Sequence, residues 1–279
     1  NELDYARLVA ERVGTRHHEV VSDADDMQEY LPELIHQQDE PIADWVCVPL
    51  YFVSRLAKQS GVTVVQVGEG SDELFCGYPH FADAVNLNRH YGRPLGALPA
   101  PLRRAAAGLA RLFTLIDPKW NGRAAAAAAV ARGDELFSGG ALCFDDREKG
   151  ELWTGPRPPF DRCADFVPTR LLVGGSQDVV REIMAPFRAA NPAADFYQQM
   201  LYLELRQRLP ELLLMRVDKI TMSTSVEARV PFLDHELVDF AMDLPLDMRL
   251  RRGTGKWLLK RAVRGVIPDE VIDRPKVGF

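Results

Sequence analysis

Acidic and hydroxyl side chains are grouped between glycines in residues 67–78, whose sequence is VGEGSDELFCGY. Glu69, Ser71 and Asp72 carry oxygen atoms that can bind a cation or accept a proton. The glycines on either side of Glu69 let the backbone approach a ligand closely. Side chains of these types at this spacing are typical of a site for a nucleotide and magnesium.

A short β-branched run, residues 62–67, precedes this turn and predicts a buried parallel strand. Ser71, Asp72 and Glu73 then stand where a new helix should begin. Ligands of open α/β sheets bind just beyond the carboxyl ends of the strands. The turn is therefore well placed for chemistry.

Alternating strand-like and helix-like patterns in the first third of the chain predict an α/β fold with parallel strand pairing. Alanine-rich stretches at 105–107 and 124–129 favour helices, and helical patterns dominate again from about 178 to 265. Residues 155–159 read as a loop. The earlier expected elements are helices over 2–13, 27–37 and 49–60, and strands over 18–21 and 62–67.

The composition limits the classes of protein to which this chain can belong. The chain has 279 residues, 47% of them hydrophobic, and a net charge of −6, so neither a nucleic-acid partner nor a membrane partner is expected. Its four cysteines are scattered without metal-ligand spacing, which favours reduced thiols and a cytoplasmic location. The chain begins at Asn1 within a helical pattern and stops after a Lys-Val-Gly turn, so we expect both ends to be cut from a longer protein.

Charged residues within apolar segments form a second group of candidates. Residues 208–219, RLPELLLMRVDK, and 225–235, SVEARVPFLDH, place charges where burial is costly unless they are paired. For Arg216 and Glu227, a structural ion pair and a contact with a ligand are equally favoured. The basic turn 274–279, RPKVGF, contains Lys276, which on its own reads as a solvated surface charge.

Residues 253–256, Gly-Thr-Gly-Lys, resemble the end of a phosphate-binding loop. Leu250 stands where that loop requires glycine, and Trp257 stands where it requires serine or threonine. We therefore interpret this segment as a loop that opens a helix over 256–263.

Residues 67–78, 208–235 and 274–279, together with 38–44 (QDEPIAD), resemble the synthetase domain of the asparagine synthetase family. The resemblance implies a parallel sheet of the adenine-nucleotide alpha-hydrolase (ATP-pyrophosphatase) type, incomplete at its amino-terminal end. Residues 1–92 would be the α/β nucleotide-binding part, without its first strand and pyrophosphate loop. Residues 93–279 would be a mainly helical part that completes the active site.

The resemblance also implies the reaction. A carboxylate attacks the α-phosphate of ATP to give an acyl-adenylate and pyrophosphate, and glutamine-derived ammonia then displaces AMP. Glu69 matches the residue that takes a proton from the nucleophile, Lys276 matches a lysine that contacts phosphate, and Asp72 matches a Mg²⁺ ligand. The residues implied to bind ATP or pyrophosphate are Val67, Gly68, Gly70, Ser71, Arg229 and Lys219, the last two less firmly than the others.

Two features of the family are missing from this sequence. Neither the pyrophosphate loop Ser-Gly-Gly-x-Asp-Ser nor the amino-terminal cysteine of the glutaminase domain occurs. We expect both to lie upstream of Asn1, so that this chain alone makes no amide. Partners would be ATP, an amino acid and ammonia from the missing glutaminase domain, and a homodimer is left open.

The sequence leaves alternatives open for the acceptor carboxylate and for the class of function. Residues 44–48, DWVCV, differ from the Thr/Arg-containing segment of asparagine-making members, which puts aspartate in doubt as the acceptor. A second hypothesis is a β-lactam-synthetase-like cyclase, although Glu69 favours the branch that uses ammonia. A third is a non-catalytic binding module, against which Glu69, Asp72 and Lys276 weigh.

Overall fold

The computed structural model describes residues 2–39, 42, 44–139, 146–152 and 175–274. Contacts divide the chain into two compact units, Asn1–Gly77 with Leu209–Phe279, and Tyr78–Arg208. The first unit is therefore assembled from two separate stretches of sequence. The division of roles at residue 92 stays a prediction.

The first unit combines helices with a small parallel sheet, so the described part of the chain is α/β and mostly helical. Its elements are α1 Glu2–Val13, α2 Ala24–Gln38, α3 Cys47–Gln59, β1 Val64–Gln66, α4 Ser71–Leu74, a π-helix Leu209–Leu214, α11 Met215–Ser223, β2 Glu227–Arg229, a 3₁₀ turn Pro231–Leu233, α12 His235–Asp243, α13 Leu246–Arg249, α14 Trp257–Ala262 and α15 Asp269–Asp273.

The sheet pairs β1 with β2 in parallel, with Val65 opposite Ala228. One further hydrogen bond, from Val67 N to Arg229 O at 2.9 Å, continues the pairing beyond β1. The predicted parallel strand is thus confirmed, but the expected burial is wrong because Val64 is 40% exposed. In the described residues this sheet has two strands, so β1 has a hydrogen-bonded neighbour on one side only.

The strand expected at 18–21 is wrong. This segment is described and is neither strand nor helix. Glu19 accepts a hydrogen bond from Arg7 Nε at 3.0 Å, and His17 Nε2 lies 3.2 Å from the same carboxylate oxygen. Neither β1 nor β2 pairs with this segment in the described residues, so its backbone lacks the hydrogen-bonded neighbour that a strand needs.

Apolar residues of α2, α3 and α11 form a core cluster in the first unit. Tyr30 and Leu34 of α2 pack with Cys47 and Val48 at the start of α3 and with Ile220 of α11. The rings of Tyr30 and Tyr51 stack with their centroids 3.8 Å apart. This cluster fixes α11 against the helix that precedes β1.

Burial raises the pKa of the Tyr30 phenol above its usual range near 10. An acid whose pKa is raised in the folded state stays protonated there while the unfolded chain loses the proton. Folding stability should consequently fall as the pH rises above about 10. Urea unfolding followed by circular dichroism between pH 8 and 11 should show this loss.

Tyr30→Phe is the matched control for that measurement. It removes the titrating group and the 2.7 Å hydrogen bond from the Tyr30 hydroxyl to Gln37 Oε1. The variant should be less stable by about 1 kcal/mol at pH 8 and should lose less stability on alkalinisation. Equal alkaline losses in the two proteins would show that Tyr30 is not the group responsible.

The second unit is helical in its described residues. Its elements are α5 Pro79–Leu87, a π-helix Asn88–Gly92, α6 Arg93–Gly96, α7 Ala100–Thr114, a 3₁₀ turn Pro118–Trp120, α8 Asn121–Arg132, α9 Asp146–Leu152, and α10, a pair of helices over Ser176–Ala190 and Phe196–Arg206. Both alanine-rich stretches lie in helices as predicted, and the loop expected at 155–159 lies outside the described residues. None of the described helices has the length and apolar character needed to cross a bilayer.

Candidate active site

The turn after β1 has a backbone that requires glycine. Gly70 has a φ of +91° and precedes α4, whose first residues are Ser71 and Asp72. A Cβ atom at Gly70 would lie 2.4 Å from Leu233 Cδ2. The predicted helix start at Ser71 is confirmed, and the close packing on Leu233 explains why a side chain is excluded at Gly70.

Glu69 is joined to Asp44 through the guanidinium of Arg216. Arg216 Nη2 donates to Glu69 Oε1 at 2.9 Å, and Nη1 donates to Asp44 Oδ2. Asp44 also accepts a hydrogen bond from Val46 N through its other carboxylate oxygen, at 3.1 Å. One cation thus connects the segment before α3 with the turn after β1.

Burial makes this arrangement energetically important. The Arg216 side chain is 7% exposed, whereas those of Asp44 and Glu69 are 17% and 23% exposed. A buried guanidinium is costly without acceptors. Here two carboxylates accept from its Nη atoms, while its Nε is buried without a hydrogen-bond partner. The structural ion pair considered for Arg216 is therefore present, and it includes the proposed catalytic carboxylate.

Lys256 reaches the same turn from the loop before α14. Its Nζ lies 2.9 Å from Ser71 Oγ and 3.1 Å from Asp72 Oδ1. Its backbone N donates to Phe75 O at 2.8 Å. The lysine is anchored to the turn by both its main chain and its side chain.

Two glycines allow this close approach. A Cβ atom at Gly77 would lie 1.8 Å from Asp72 Oδ1 and 2.4 Å from Lys256 Cε. A Cβ atom at Gly255 would lie 2.2 Å from the carbonyl oxygen of Cys76. The loop and the turn are therefore in contact at distances that exclude larger residues.

The remaining predicted residues lie as follows. Lys219 Nζ donates to Gln38 O at 2.6 Å and pairs with Asp39 at 2.9 Å, at the end of α2. Arg229 pairs with Glu227 at 2.9 Å on the exposed side of β2. Lys276 lies outside the described residues. The structure thus brings Glu69, Ser71 and Asp72 together on one turn, and it gives Lys219 and Arg229 carboxylate partners.

A known protein family matches this chain. The family model described as asparagine synthase matches residues 1–279, the whole of this chain. The chain belongs to the asparagine synthase family.

Individual relatives of the family agree with this assignment. A Mycobacterium tuberculosis protein that carries the provisional name asparagine synthetase (glutamine-hydrolyzing) is 34% identical over all of this chain. Asparagine synthetase (glutamine-hydrolyzing) 1 of Bacillus subtilis is 27% identical over the same span, and the amidase chyE of Penicillium rubens is 23% identical. The chain spans about two fifths of the length of these relatives, 39% to 41%.

The side-chain oxygen atoms on the turn are compatible with a bound cation. Ser71 Oγ and Asp72 Oδ1 already converge on the ammonium group of Lys256. Among the described residues, no group of three His, Cys, Asp or Glu side chains is arranged to hold a metal ion. A magnesium ion held here would therefore take most of its ligands from phosphate and water, as is usual for Mg²⁺.

Sequence reasoning missed two members of this site. Asp44 was quoted within a family segment without a role, and Lys256 was interpreted as a residue that only opens a helix. The available signal for Lys256 was the pair of glycines beside it. That signal is outweighed by the mismatch to a phosphate-binding loop. No local pattern predicts the contact itself, because Lys256 and Ser71 are 185 residues apart in sequence.

Proposed function

We propose that this chain is part of an ATP-dependent amide ligase that adenylates aspartate or a related carboxylate and transfers glutamine-derived ammonia to it. Family membership supports the ligase class. The observation that carries the site is the turn after β1, which holds Glu69, Ser71 and Asp72 at the carboxyl end of a parallel strand. The proposed fold is the ATP-pyrophosphatase type, and the proposed location is the cytoplasm.

Each residue has a proposed part in the reaction. The acceptor carboxylate oxygen forms a bond to the α-phosphorus of ATP, and the bond to pyrophosphate breaks. Val67, Gly68, Gly70 and Ser71 bind the nucleotide, with Arg229 and Lys219 as outer members that brace the site. When bound at Asp72, Mg²⁺ neutralises charge on the phosphates.

The second step forms the amide. Ammonia nitrogen bonds to the acyl carbon, AMP leaves with its oxygen, and Glu69 accepts the proton that nitrogen loses. Arg216 Nη2 donates a hydrogen bond to Glu69 Oε1, and this bond orients the carboxylate. Lys276 is proposed to stabilise charge at the α-phosphate, by the family resemblance alone.

The acceptor is tested by ATP–pyrophosphate exchange in the complete protein that contains this chain. We expect exchange that depends on an added carboxylate, with aspartate as the first candidate. Exchange with another amino acid but not with aspartate would reject the asparagine assignment and keep the ligase. No exchange with any acid, in a protein that carries a pyrophosphate loop, would reject adenylation.

The same assay separates this proposal from its alternatives. A β-lactam-synthetase-like cyclase would exchange pyrophosphate but would close a ring without ammonia, and a binding module would do neither. We also propose that residues 1–279 alone make no amide, because the loop Ser-Gly-Gly-x-Asp-Ser does not occur in their sequence. Amide formation by the isolated chain would contradict this.

A further inference from the structure

The loop that carries Lys256 is shaped to fit the turn after β1. Lys256 itself has a φ of +53°, a left-handed conformation that is uncommon for a residue with a side chain. Its backbone N is held by Phe75 O at 2.8 Å. Strain of this kind persists only where surrounding contacts stabilise it.

The contacts of the side chain show what this conformation achieves. The ammonium group lies within hydrogen-bond distance of Ser71 Oγ and forms an ion pair with Asp72 Oδ1. The side chains of Lys256 and Asp72 are each 24% exposed, so the pair is partly shielded from solvent and still accessible to it. A partly buried pair is screened less by salt than a surface pair.

We propose that Lys256 is a positioning residue of the nucleotide site, which holds the Ser71 hydroxyl and the Asp72 carboxylate in the arrangement that receives the magnesium complex of ATP. This rests on the proposed function for the assignment of Ser71 and Asp72 to the nucleotide. The close approach at Gly77 and Gly255 supports it, because a side chain at either position would separate the lysine from the turn.

The test is a double-mutant cycle on ATP binding in the complete protein, measured by calorimetry with a non-hydrolysable ATP analogue, with and without Mg²⁺. Lys256→Met and Asp72→Asn should each weaken binding of the magnesium complex by about fivefold or more. The double variant should be no weaker than the worse single variant, within about twofold, because the two residues act as a unit.

Two further variants separate positioning from a general structural role. Lys256→Arg keeps the cation and should bind the magnesium complex within about threefold of the wild type. Lys260→Met, in α14 and one turn beyond Lys256, is the matched control and should bind within about twofold. If Lys256→Met fails to fold by circular dichroism, Lys256→Gln replaces it with the same expectation.

The outcomes distinguish this inference from the proposed function. Effects of Lys256→Met and Asp72→Asn that multiply, or a Lys256→Met variant that binds like the wild type, would overturn the positioning role. A wild-type protein that binds no ATP would overturn it as well. Failure of pyrophosphate exchange with nucleotide binding intact would instead reject adenylation and leave the positioning role standing.

Discussion

Glu69→Gln in the complete protein is expected to lower amide synthesis by about 10²–10⁴-fold, the usual contribution of a general base. Glutamine keeps an oxygen that can accept from Arg216 Nη2, so the geometry of the turn should survive. It cannot take a proton from the nucleophile. ATP–pyrophosphate exchange, which precedes that proton transfer, should stay within about threefold of the wild type, since the lost group acts only in the second step.

Glu29→Gln is the matched control, because Glu29 is an exposed residue of α2. It should leave both rates unchanged. A Glu69→Gln variant that loses exchange and amide synthesis equally would place Glu69 in the first step instead. A variant with normal amide synthesis would remove Glu69 from the chemistry altogether.

Arg216→Met is expected to destabilise the protein by about 2–4 kcal/mol, because it leaves two partly buried carboxylates without their shared cation. Asp44 and Glu69 would then face each other as like charges, and both retain some access to water. Urea unfolding at neutral pH, followed by circular dichroism, measures the loss. Amide synthesis should fall too, because Glu69 loses the donor that orients it.

Two variants make this result interpretable. Arg216→Lys keeps the charge but cannot donate in parallel to two acceptors, so its stability should lie between those of the methionine variant and the wild type. Arg229→Met removes an exposed pair on β2 and should change stability by less than about 0.5 kcal/mol. Equal losses for Arg216→Met and Arg229→Met would show that burial of Arg216 adds nothing.

Local patterns were enough to predict the elements that surround the turn. The apolar stripe of residues 2–13 gave a helix with the observed bounds, and the β-branched run at 62–67 gave β1. Within each segment the residues that carry the signal are a few positions apart, and the signal depends on backbone preference and amphipathicity. The strand prediction for 18–21 is wrong because neither β1 nor β2 pairs with this segment in the described residues, and a local pattern does not reveal whether a pairing strand is present.

The contacts that complete the candidate site could not be predicted in the same way. Arg216 and Glu69 are 147 residues apart, and β1 pairs with a strand whose sequence lies within a predicted helical region. The family resemblance implies a nucleotide role for Lys219, which stays a prediction, and its ammonium group contacts the end of α2. Which of two acceptors a long flexible cation reaches depends on tertiary packing.

The division of the first unit into two stretches of sequence has a consequence for how the chain folds. Tyr78–Arg208 is continuous and is synthesised before Leu209 emerges, so it can become compact first. The turn that carries Glu69 must wait for Arg216, β2 and Lys256, and contacts across such separations form slowly. Newly made chains should therefore acquire the helical unit early and nucleotide affinity late, after residue 256 has left the ribosome.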